Sequence, residues 1–423
     1  MKDKLKFTLN IAFVLLLIAV LFSYAMFQGG FVSWFLFYSL LPIIFYQFGL
    51  LLYPMKKWKV TRKLSRQVIA AGDGVTVSID MKRKVAFPVY YCIVEEVFPE
   101  TLRKMDSKQE KYYYMDRPDK LLTDRNIKKV VFPYFKKNIR LEYTIGQVPR
   151  GEHQLTAVRV RIGDVFGLVK KEHIFNVEDK LTANPTEVPL RLYEKNRSFD
   201  QGSRATSPME VTNTNIAVGV REYEPGDKFS WIDWKQTARK NTIMTKEFEQ
   251  EKGINVSLVL DHCNYSSLNF LAFEATVEIT LSLMTTFRKK LTEISLLTIG
   301  GDRNSAFFPT CQDVAMYTIA KRHLTGLNAS GNGSFSNDLK EQMMRLGHGD
   351  IVVVITTHLD EQFKQTILQL NKRIKSLGVI LVQSKSFIAH HEQAVIKELH
   401  SSGMAVDVLT EEQLVKKPIE VSL

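Results

Sequence analysis

The feature that most constrains the fold of this chain is a long uncharged run near its start. No charged residue occurs between Phe7 and Tyr53, and a Gln-Gly-Gly turn interrupts the run near its middle. A helix needs about 20 apolar residues to cross a hydrocarbon core of roughly 30 Å, and each half supplies that length. We therefore predict two transmembrane helices, at 7–27 and 31–53, within a first segment 1–55. A signal peptide is the alternative, but the run is too long and lacks a convincing cleavage site.

Basic residues flank this hairpin on both sides, whereas its turn is uncharged. The flanking residues are Lys2, Lys4, Lys6, Lys56, Lys57, Lys59, Arg62, Lys63 and Arg66. Because lysine and arginine are in excess on cytoplasmic flanks, both termini and the soluble domains are predicted to be cytoplasmic, at the plasma membrane. The cluster after the second helix is expected to contact anionic lipid, at about 1 kcal/mol per residue near the surface. Alternatively, it only fixes the topology.

The overall charge and the cysteines exclude some function classes. The formal net charge is +12, yet the basic residues form no arginine-rich stripe with interleaved aromatic residues. This pattern argues against nucleic-acid binding. The three cysteines, Cys92, Cys263 and Cys311, fit no disulfide framework or metal-ligand spacing, so we interpret them as single buried thiols.

Residues 56–185 predict a β-sandwich-like domain. Short alternating segments at 74–80, 89–95, 139–145 and 155–162 are separated by Gly, Pro and Asp turns, which is typical of antiparallel sandwiches or barrels. The charged stretch 101–128 contains three consecutive tyrosines. We interpret it as an excursion within this domain, with its tyrosines packed at the surface.

The second half of the chain predicts an α/β architecture. Residues 186–253 form a connecting segment, with a loop rich in Ser, Thr and Asn at 198–214. From 254 to 423 strands alternate with helices, which indicates a parallel, doubly wound sheet. The predicted strands lie at 254–261, 293–299, 351–356, 379–383 and 405–409. The predicted helices lie at 268–290, 313–324, 361–376 and 392–401. The complete prediction is a multidomain chain: two transmembrane helices, a β-sandwich-like domain and a doubly wound α/β domain.

Within the connecting segment, residues 221–239 concentrate charges and two tryptophans without a helical or strand period. We call this stretch the signature segment. Its notable residues are Arg221, Tyr223, Gly226, Asp227, Trp231, Asp233, Trp234, Lys235 and Arg239. Solvated loops rarely carry this mixture, so we expect a folded polar network or a docking surface. In the network interpretation Asp227 and Asp233 pair with the basic side chains. The alternative is a pair of carboxylates for acid–base chemistry.

The signature segment resembles the motif of a bacterial family known as domain of unknown function 58. The resemblance extends upstream to Pro149-Arg150-Gly151 and to Asp164-Val-Phe-Gly167, and downstream to 246–249 before a strand. Two positions depart from the family pattern, which commonly has a basic pair where this chain has Ser230-Trp231, and a proline where it has Val165.

This resemblance implies a von Willebrand factor A-like domain at 254–423. Such domains usually bind Mg²⁺ through an Asp-x-Ser-x-Ser loop, a Thr and a later Asp. Here only Asp261 of those ligands is retained, because Cys263 and Tyr265 occupy the hydroxyl positions and Thr357-His358 follows the later strand. A single carboxylate does not make a Mg²⁺ site. Asp261, His262 and His358 could approach one another at the strand tips and offer a pair of transition-metal ligands. No third ligand lies at helical spacing. We therefore expect no metal and no cofactor.

Catalytic motifs are also missing: the chain has no G-x-S-x-G elbow and no Walker A sequence. We expect a non-enzymatic, membrane-tethered scaffold or adaptor that binds protein partners. The family resemblance implies a MoxR-type AAA+ ATPase as partner, a transglutaminase-like membrane protein nearby, and a role in envelope-related assembly. The alternative hypothesis is a hydrolase-type enzyme that uses Asp227, Asp233 and Asp261.

Overall fold

The computed structural model describes residues 2–167, 169–194, 207–208, 217–248, 255–266, 268–290, 292–301, 304–331, 334–347 and 350–422. The chain divides into two compact units. The first unit comprises Met1–Lys108 and Asp119–Pro185, and the second comprises Gln109–Pro118 and Thr186–Leu423. The loop expected at 198–214 lies outside the described residues, apart from 207–208.

Two apolar helices open the first unit, α1 (Lys2–Gln28) and α2 (Phe31–Leu52). By length and composition α2 can cross a membrane, and α1 contains a shorter apolar stretch, Ala12–Gln28. Gly29 between them has φ +53°, a conformation that glycine adopts without steric cost. Phe270–Lys289 passes the same test of length and composition, but it is 78% buried and is therefore a core helix.

The C-terminal end of α2 is built into the core of the first unit. Leu50, Leu51 and Tyr53 are buried there. The Nζ atom of Lys171 donates to the carbonyl oxygens of Leu51 and Tyr53, at 2.7 Å each. The last carbonyls of a helix have no partner within the helix, so this lysine satisfies groups that burial would otherwise leave unpaired.

In the described part of the first unit, eight strands form two sheets. They are β1 (Lys59–Leu64), β2 (Val68–Ala70), β3 (Val75–Lys82), β4 (Tyr91–Val97), β5 (Lys128–Val131), β6 (Asn138–Ile145), β7 (Gly151–Gly163) and β8 (Lys170–Asn184). The strand orders are β1-β3-β6 and β2-β8-β7-β4-β5, antiparallel except between β2 and β8. Alternate residues of β3 and β7 are buried in one shared core. The first unit is therefore sheet-rich, with two mainly antiparallel sheets around a common core, and the sandwich-like class stays a prediction.

Arg62 departs from the expectation that it contacts lipid. Its side chain is fully buried, and its Nη2 lies 2.5 Å from Glu96 Oε1. Its Nη1 donates to the carbonyls of Leu155 (2.9 Å) and Val177 (2.6 Å). Tyr143 also donates to Glu96. The sequence shows the basic cluster but not that alternation along β1 turns this one residue inward.

The second unit contains the remaining elements. Its strands are β9 (Leu190–Glu194), β10 (Ser207–Pro208), β11 (Ala217–Glu222), β12 (Met244–Phe248), β13 (Asn255–Asp261), β14 (Glu293–Gly300), β15 (Asn304–Phe308), β16 (Ile351–Thr356), β17 (Ser376–Val382), β18 (Ala405–Leu409) and β19 (Ile419–Ser422). Its helices are α3 (Trp234–Lys240), α4 (Phe270–Lys289), α5 (Val314–Gly326), α6 (Phe335–Gln342), α7 (Glu361–Asn371), α8 (His390–Ser401) and α9 (Glu411–Leu414).

A six-stranded sheet organises the described part of this unit, in the order β15-β14-β13-β16-β17-β18. All neighbours are parallel except the edge strand β15. Side chains of α6, α7 and α8 share a core with one face of the sheet. The buried helix α4 contacts the same strands without joining that core, which puts it on the other face. The chain order reverses between β13 and β16, so their carboxyl ends flank the crevice where α/β proteins commonly bind ligands.

Several elements were not predicted from the sequence. β15 is a short edge strand whose residues are mostly half-buried, and α6 is short and polar. Helix α7 ends at Asn371 and β17 begins at Ser376, so the predicted helix was too long and the strand too short. β19 returns from the end of the chain to pair with β9, a long-range contact with no local signal.

The tyrosine-rich excursion also differs from its interpretation. Residues 109–118 belong to the second unit, and Tyr112 is 1% exposed although Tyr113 is 65% exposed. The Nζ of Lys111 lies 2.6 Å from Glu278 Oε1 in α4, and the Tyr112 hydroxyl lies 2.5 Å from Glu278 Oε2. The surface interpretation is therefore wrong for Tyr112, which contributes to a buried ionic cluster.

Candidate functional site

The signature segment folds into a small lobe of the second unit, which we call the signature lobe (217–248). β11 and β12 pair antiparallel, and α3 lies between them in sequence. Asp233 begins α3 because its Oδ1 accepts hydrogen bonds from the amides of Lys235 (3.0 Å) and Gln236 (3.1 Å). An aspartate at this position satisfies amides that the helix leaves unpaired. Asn241, with φ +57°, ends the helix.

An ion pair closes the turn that precedes α3. Arg221 Nη2 lies 2.6 Å from Asp227 Oδ1, and Asp227 Oδ2 accepts from the Glu224 amide at 3.1 Å. These groups hold the pKa of Asp227 below its ordinary value, the Glu224 amide having the larger effect. Gly226 has φ +119°, a conformation that other residues rarely adopt. The Pro-Gly-Asp sequence is thus explained by the geometry of the turn.

Of the pairs predicted for the charge network, the described residues form Arg221–Asp227, and Arg221 also lies 3.8 Å from Glu224 Oε2. Asp233 does not bind Arg239, because its carboxylate is directed at the amides of α3. Lys235 and Arg239 lie exposed on that helix. No ion pair involves either of them within the part of the chain that the structure describes. Asp227 and Asp233 therefore both have local structural roles, which differ from the acid–base pair considered from sequence.

Large apolar side chains, two of them aromatic, are exposed on the signature lobe. Phe229 is 77% exposed, Trp234 is 69% exposed and Ile243 is 50% exposed. The ring of Tyr223 stacks on Phe229 with centroids 6.2 Å apart, and Lys228 Nζ lies 5.2 Å from the centroid of the half-buried Trp231. Large exposed aromatic residues beside basic groups are typical of protein-binding surfaces.

The second candidate site lies at the carboxyl edge of the large sheet, around Asp261. This carboxylate is 2% exposed. Its Oδ2 accepts from the Thr356 hydroxyl (2.6 Å) and the Tyr265 hydroxyl (2.7 Å), and its Oδ1 accepts from the Cys263 amide (3.0 Å). Burial raises the pKa of Asp261, and these hydrogen bonds counter part of that effect. Three internal donors thus occupy most of the acceptor positions of the carboxylate.

The histidines considered with Asp261 have other partners. His262 Nδ1 lies 3.4 Å from the Ser330 hydroxyl, and burial lowers its pKa to about 4. His358 Nδ1 lies 2.8 Å from Glu392 Oε1 in α8. This contact raises the pKa of His358. Among the described residues, Asp261, His262 and His358 do not form a metal cluster with one another, and each side chain has another partner.

The cysteines agree with their interpretation as buried thiols. All three are free and buried. Burial raises the pKa of Cys92 to about 12 and of Cys311 to about 11, and it raises the pKa of Cys263 further. A thiol acts as a nucleophile only as thiolate, so these groups are unsuited to that chemistry at neutral pH.

We expect the Asp261 site not to bind Mg²⁺. The hydroxyl of Tyr265 donates to Asp261 from a position where the resemblance implies a serine ligand, so a hard cation finds few free oxygen atoms. Titration calorimetry of the full chain in detergent should show no saturable heat with Mg²⁺. Micromolar binding that Asp261→Ala abolishes would contradict this account of the site.

Comparison with known proteins gives the family. A family model described as "Protein of unknown function DUF58" matches residues 219–413. The "Uncharacterized protein YeaD" of Bacillus subtilis (strain 168) is 34% identical over 328 residues, which cover 78% of this chain and 77% of that protein. The chain belongs to the DUF58 family. The matched region includes nearly all of the signature lobe, as the sequence resemblance predicts.

Solved structures add no fold assignment for this DUF58 protein. The PilB minor pilin from Streptococcus sanguinis is 9% identical, with coverage of 77% of this chain and 85% of that chain, and its TM-score is 0.27. A CARDB domain from Pyrococcus furiosus is 10% identical, with coverage of 31% and 96% and a TM-score of 0.18. Similarities this weak support no conclusion about fold or function.

Sequence reasoning missed three groups of contacts that the structure brings together. They are the Thr356 and Tyr265 hydroxyls on Asp261, the pairing of His358 with Glu392, and the cluster of Lys111 and Tyr112 on Glu278. Each joins residues from separate elements, apart from the Asp261–Tyr265 contact. That contact had a local signal, since a tyrosine four residues after a strand-end aspartate can reach back to it.

Proposed function

We propose that this DUF58 protein is a membrane-tethered scaffold or adaptor that binds a protein partner through the signature lobe. The observation that carries the proposal is the exposure of Phe229 and Trp234 beside a turn closed by the Arg221–Asp227 pair. Exposing large aromatic side chains to water is unfavourable, yet the lobe presents these two on its surface. Aromatic residues held on a defined turn and helix provide binding area with little loss of conformational entropy.

The charge of α3 supports an acidic partner surface. Lys235, Arg239 and Lys240 are exposed on this helix next to Trp234. The family resemblance suggests a MoxR-type AAA+ ATPase as the partner, in envelope-related assembly, with a transglutaminase-like membrane protein as a further neighbour. Complementary charges increase association rates and select partners more than they add affinity, so the aromatic residues are assigned most of the binding energy.

Other features support a binding role rather than a hydrolase. Asp227 closes a turn, Asp233 caps a helix, and Asp261 is buried under three hydrogen-bond donors. Each of these carboxylates thus already has a local structural role, which supports a binding role over general acid–base chemistry. The proposal includes no cofactor and no metal-dependent catalysis at Asp261. It also includes no nucleic-acid binding, because the basic residues form no arginine-rich stripe with interleaved aromatic residues.

The proposal includes a von Willebrand factor A-like assignment for the α/β part of the second unit. The strand order, with β13 and β16 central and an antiparallel edge strand β15, supports it. So does the position of Asp261 at the carboxyl end of β13, where the family resemblance implies a metal ligand.

A membrane hairpin with both ends in the cytoplasm completes the proposal. The apolar length of α2 and the apolar stretch of α1 support insertion, and the basic flanks support the orientation. A tag fused to the C-terminus should react with an impermeant label only after the cells are permeabilised. Labelling of that tag in intact cells would contradict the orientation, and extraction of the protein by carbonate without detergent would contradict insertion.

Partner capture can be tested in native membranes. A photoreactive amino acid at position 234 should crosslink the MoxR-type ATPase, because Trp234 is 69% exposed in the signature lobe. The matched control places the same amino acid at position 387, where Phe387 is 45% exposed outside the lobe. Equal crosslinking from both positions, or none from position 234, would contradict the proposal.

A further inference from the structure

Two histidines and a glutamate meet at the carboxyl edge of the large sheet. One ligand atom each from His358, His391 and Glu392 lies within 4.8 Å of the others. His358 follows β16 by two residues, and the other two residues open α8. Asp261 is not part of the cluster.

Two of these three side chains are fixed before any ligand arrives. Glu392 is 3% exposed, and its carboxylate accepts from the amides of Leu359 (3.2 Å) and Ala389 (3.0 Å). The backbone amide of His358 donates to the Thr356 hydroxyl at 3.1 Å, and its ring Nδ1 lies 2.8 Å from Glu392 Oε1. A metal ion that binds both side chains replaces the hydrogen bond between them, while the two amides continue to hold the Glu392 carboxylate in place.

We propose that His358, His391 and Glu392 form a binding site for a transition-metal ion, with Zn²⁺ the best fit. Imidazole nitrogen and carboxylate oxygen are normal zinc ligands, with bonds of about 2.0–2.2 Å, which place neighbouring ligand atoms roughly 3.4 Å apart in a tetrahedron. The exposed side chain of His391 can make the small movement that closes the site. The nearby Asp360 and Asp261 carboxylates add negative charge around His358.

Three protein ligands leave one coordination position for water or another ligand. His358 also lines a cleft of about 370 Å³, together with Tyr265, Ser334, Asp360 and Gln362. The ring of Tyr265 lies 4.8 Å from that of His358. A metal ion at this site would therefore adjoin a polar cleft with room for a small ligand, unlike a structural zinc site, in which protein side chains fill all four positions.

The ligand types also set the metal preference. Mg²⁺ favours oxygen ligands in octahedral geometry, whereas sites with two imidazoles favour Zn²⁺, Co²⁺ and Ni²⁺. This preference for transition metals distinguishes the cluster from the Asp261 site. The sequence carries no local signal for the cluster, since His391 and Glu392 lie more than 30 positions from His358.

Cobalt provides the most direct test. The full chain, purified in detergent without a polyhistidine tag and treated with a chelator, is titrated with Co²⁺ and the visible absorption is followed. The wild type should bind one equivalent with the intense bands of tetrahedral cobalt, Zn²⁺ should displace it, and excess Mg²⁺ should not. His391→Gln should weaken binding by roughly tenfold or more, because one of three ligands is lost.

The matched control is His390→Gln, which replaces the neighbouring exposed histidine outside the cluster. It should leave the spectrum and affinity unchanged, and melting temperatures of both variants should match the wild type. Absence of cobalt binding at micromolar concentration would overturn the proposal. So would binding that survives both His391→Gln and His358→Gln, or binding that His390→Gln weakens as much as His391→Gln does.

Discussion

Replacing Lys111 with methionine is expected to destabilise the second unit by about 3–5 kcal/mol, because it removes the cation from a buried ion pair. Lys111 and Glu278 have side chains that are 1% and 4% exposed, with Nζ and Oε1 2.6 Å apart. The Tyr112 hydroxyl also donates to Glu278. Without the ammonium group, the carboxylate stays in a desolvated position or must take up a proton, and either outcome costs free energy of folding.

Thermal unfolding of the full chain in detergent measures this effect. Lys340→Met, which changes an exposed lysine in α6, is the matched control and should stay within about 0.5 kcal/mol of wild type. The double variant Lys111→Met/Glu278→Met should be more stable than Lys111→Met alone, since apolar pairs often replace buried ion pairs without loss. If Lys111→Met unfolds like the wild type, segment 109–118 is not anchored to α4 as described.

Replacing Arg62 with methionine is expected to destabilise the first unit by a similar amount, about 3–5 kcal/mol. Arg62 donates to two backbone carbonyls and pairs with Glu96, whose side chain is 1% exposed. Burial raises the pKa of Glu96, and the Arg62 guanidinium counters that effect. Its removal therefore leaves an unfavourable buried carboxylate and takes one donor away from each of the two carbonyls.

A comparison with the next residue, Lys63, distinguishes a structural role of Arg62 from contact with the membrane. Lys63 belongs to the same basic cluster but is exposed on β1. If the cluster acts on lipid or topology alone, Arg62→Met and Lys63→Met should have equal, small effects on unfolding. The structure instead predicts a large effect for Arg62→Met and less than about 0.5 kcal/mol for Lys63→Met. Equal melting temperatures for the two variants would contradict the buried ion pair.

Local patterns predicted about half of the helices and strands that the structure describes. The uncharged run predicted α1 and α2, and alternation along the chain predicted strands such as β3 and β7, because burial on one face requires a period of two. The apolar stripe of α4 and the buried run of β16 predicted the α/β pattern. These signals lie within single segments, so they can be recognised without knowledge of the tertiary fold.

Contacts between distant segments could not be predicted. The basic residue at position 62 is indistinguishable in sequence from its exposed neighbour, and only the packed sheets show which one is buried. Asp233 was expected in a charge network because acidic and basic residues are concentrated in 221–239 and arginine binds carboxylates well. The start of α3 directs it to backbone amides instead. In the same way, Glu392 gave no sign of its pairing with His358, 34 positions away.

If the signature lobe is a docking surface, as we propose, the affinity for the proposed MoxR-type ATPase partner tests it most directly. The wild-type chain, Trp234→Ala and the control Phe387→Ala are measured in lipid nanodiscs, with melting temperatures beside them. We predict equal melting temperatures, wild-type affinity for Phe387→Ala, and about 30-fold weaker binding for Trp234→Ala, since central tryptophans carry about 2 kcal/mol or more. Undiminished binding by a stable Trp234→Ala variant would contradict the claim.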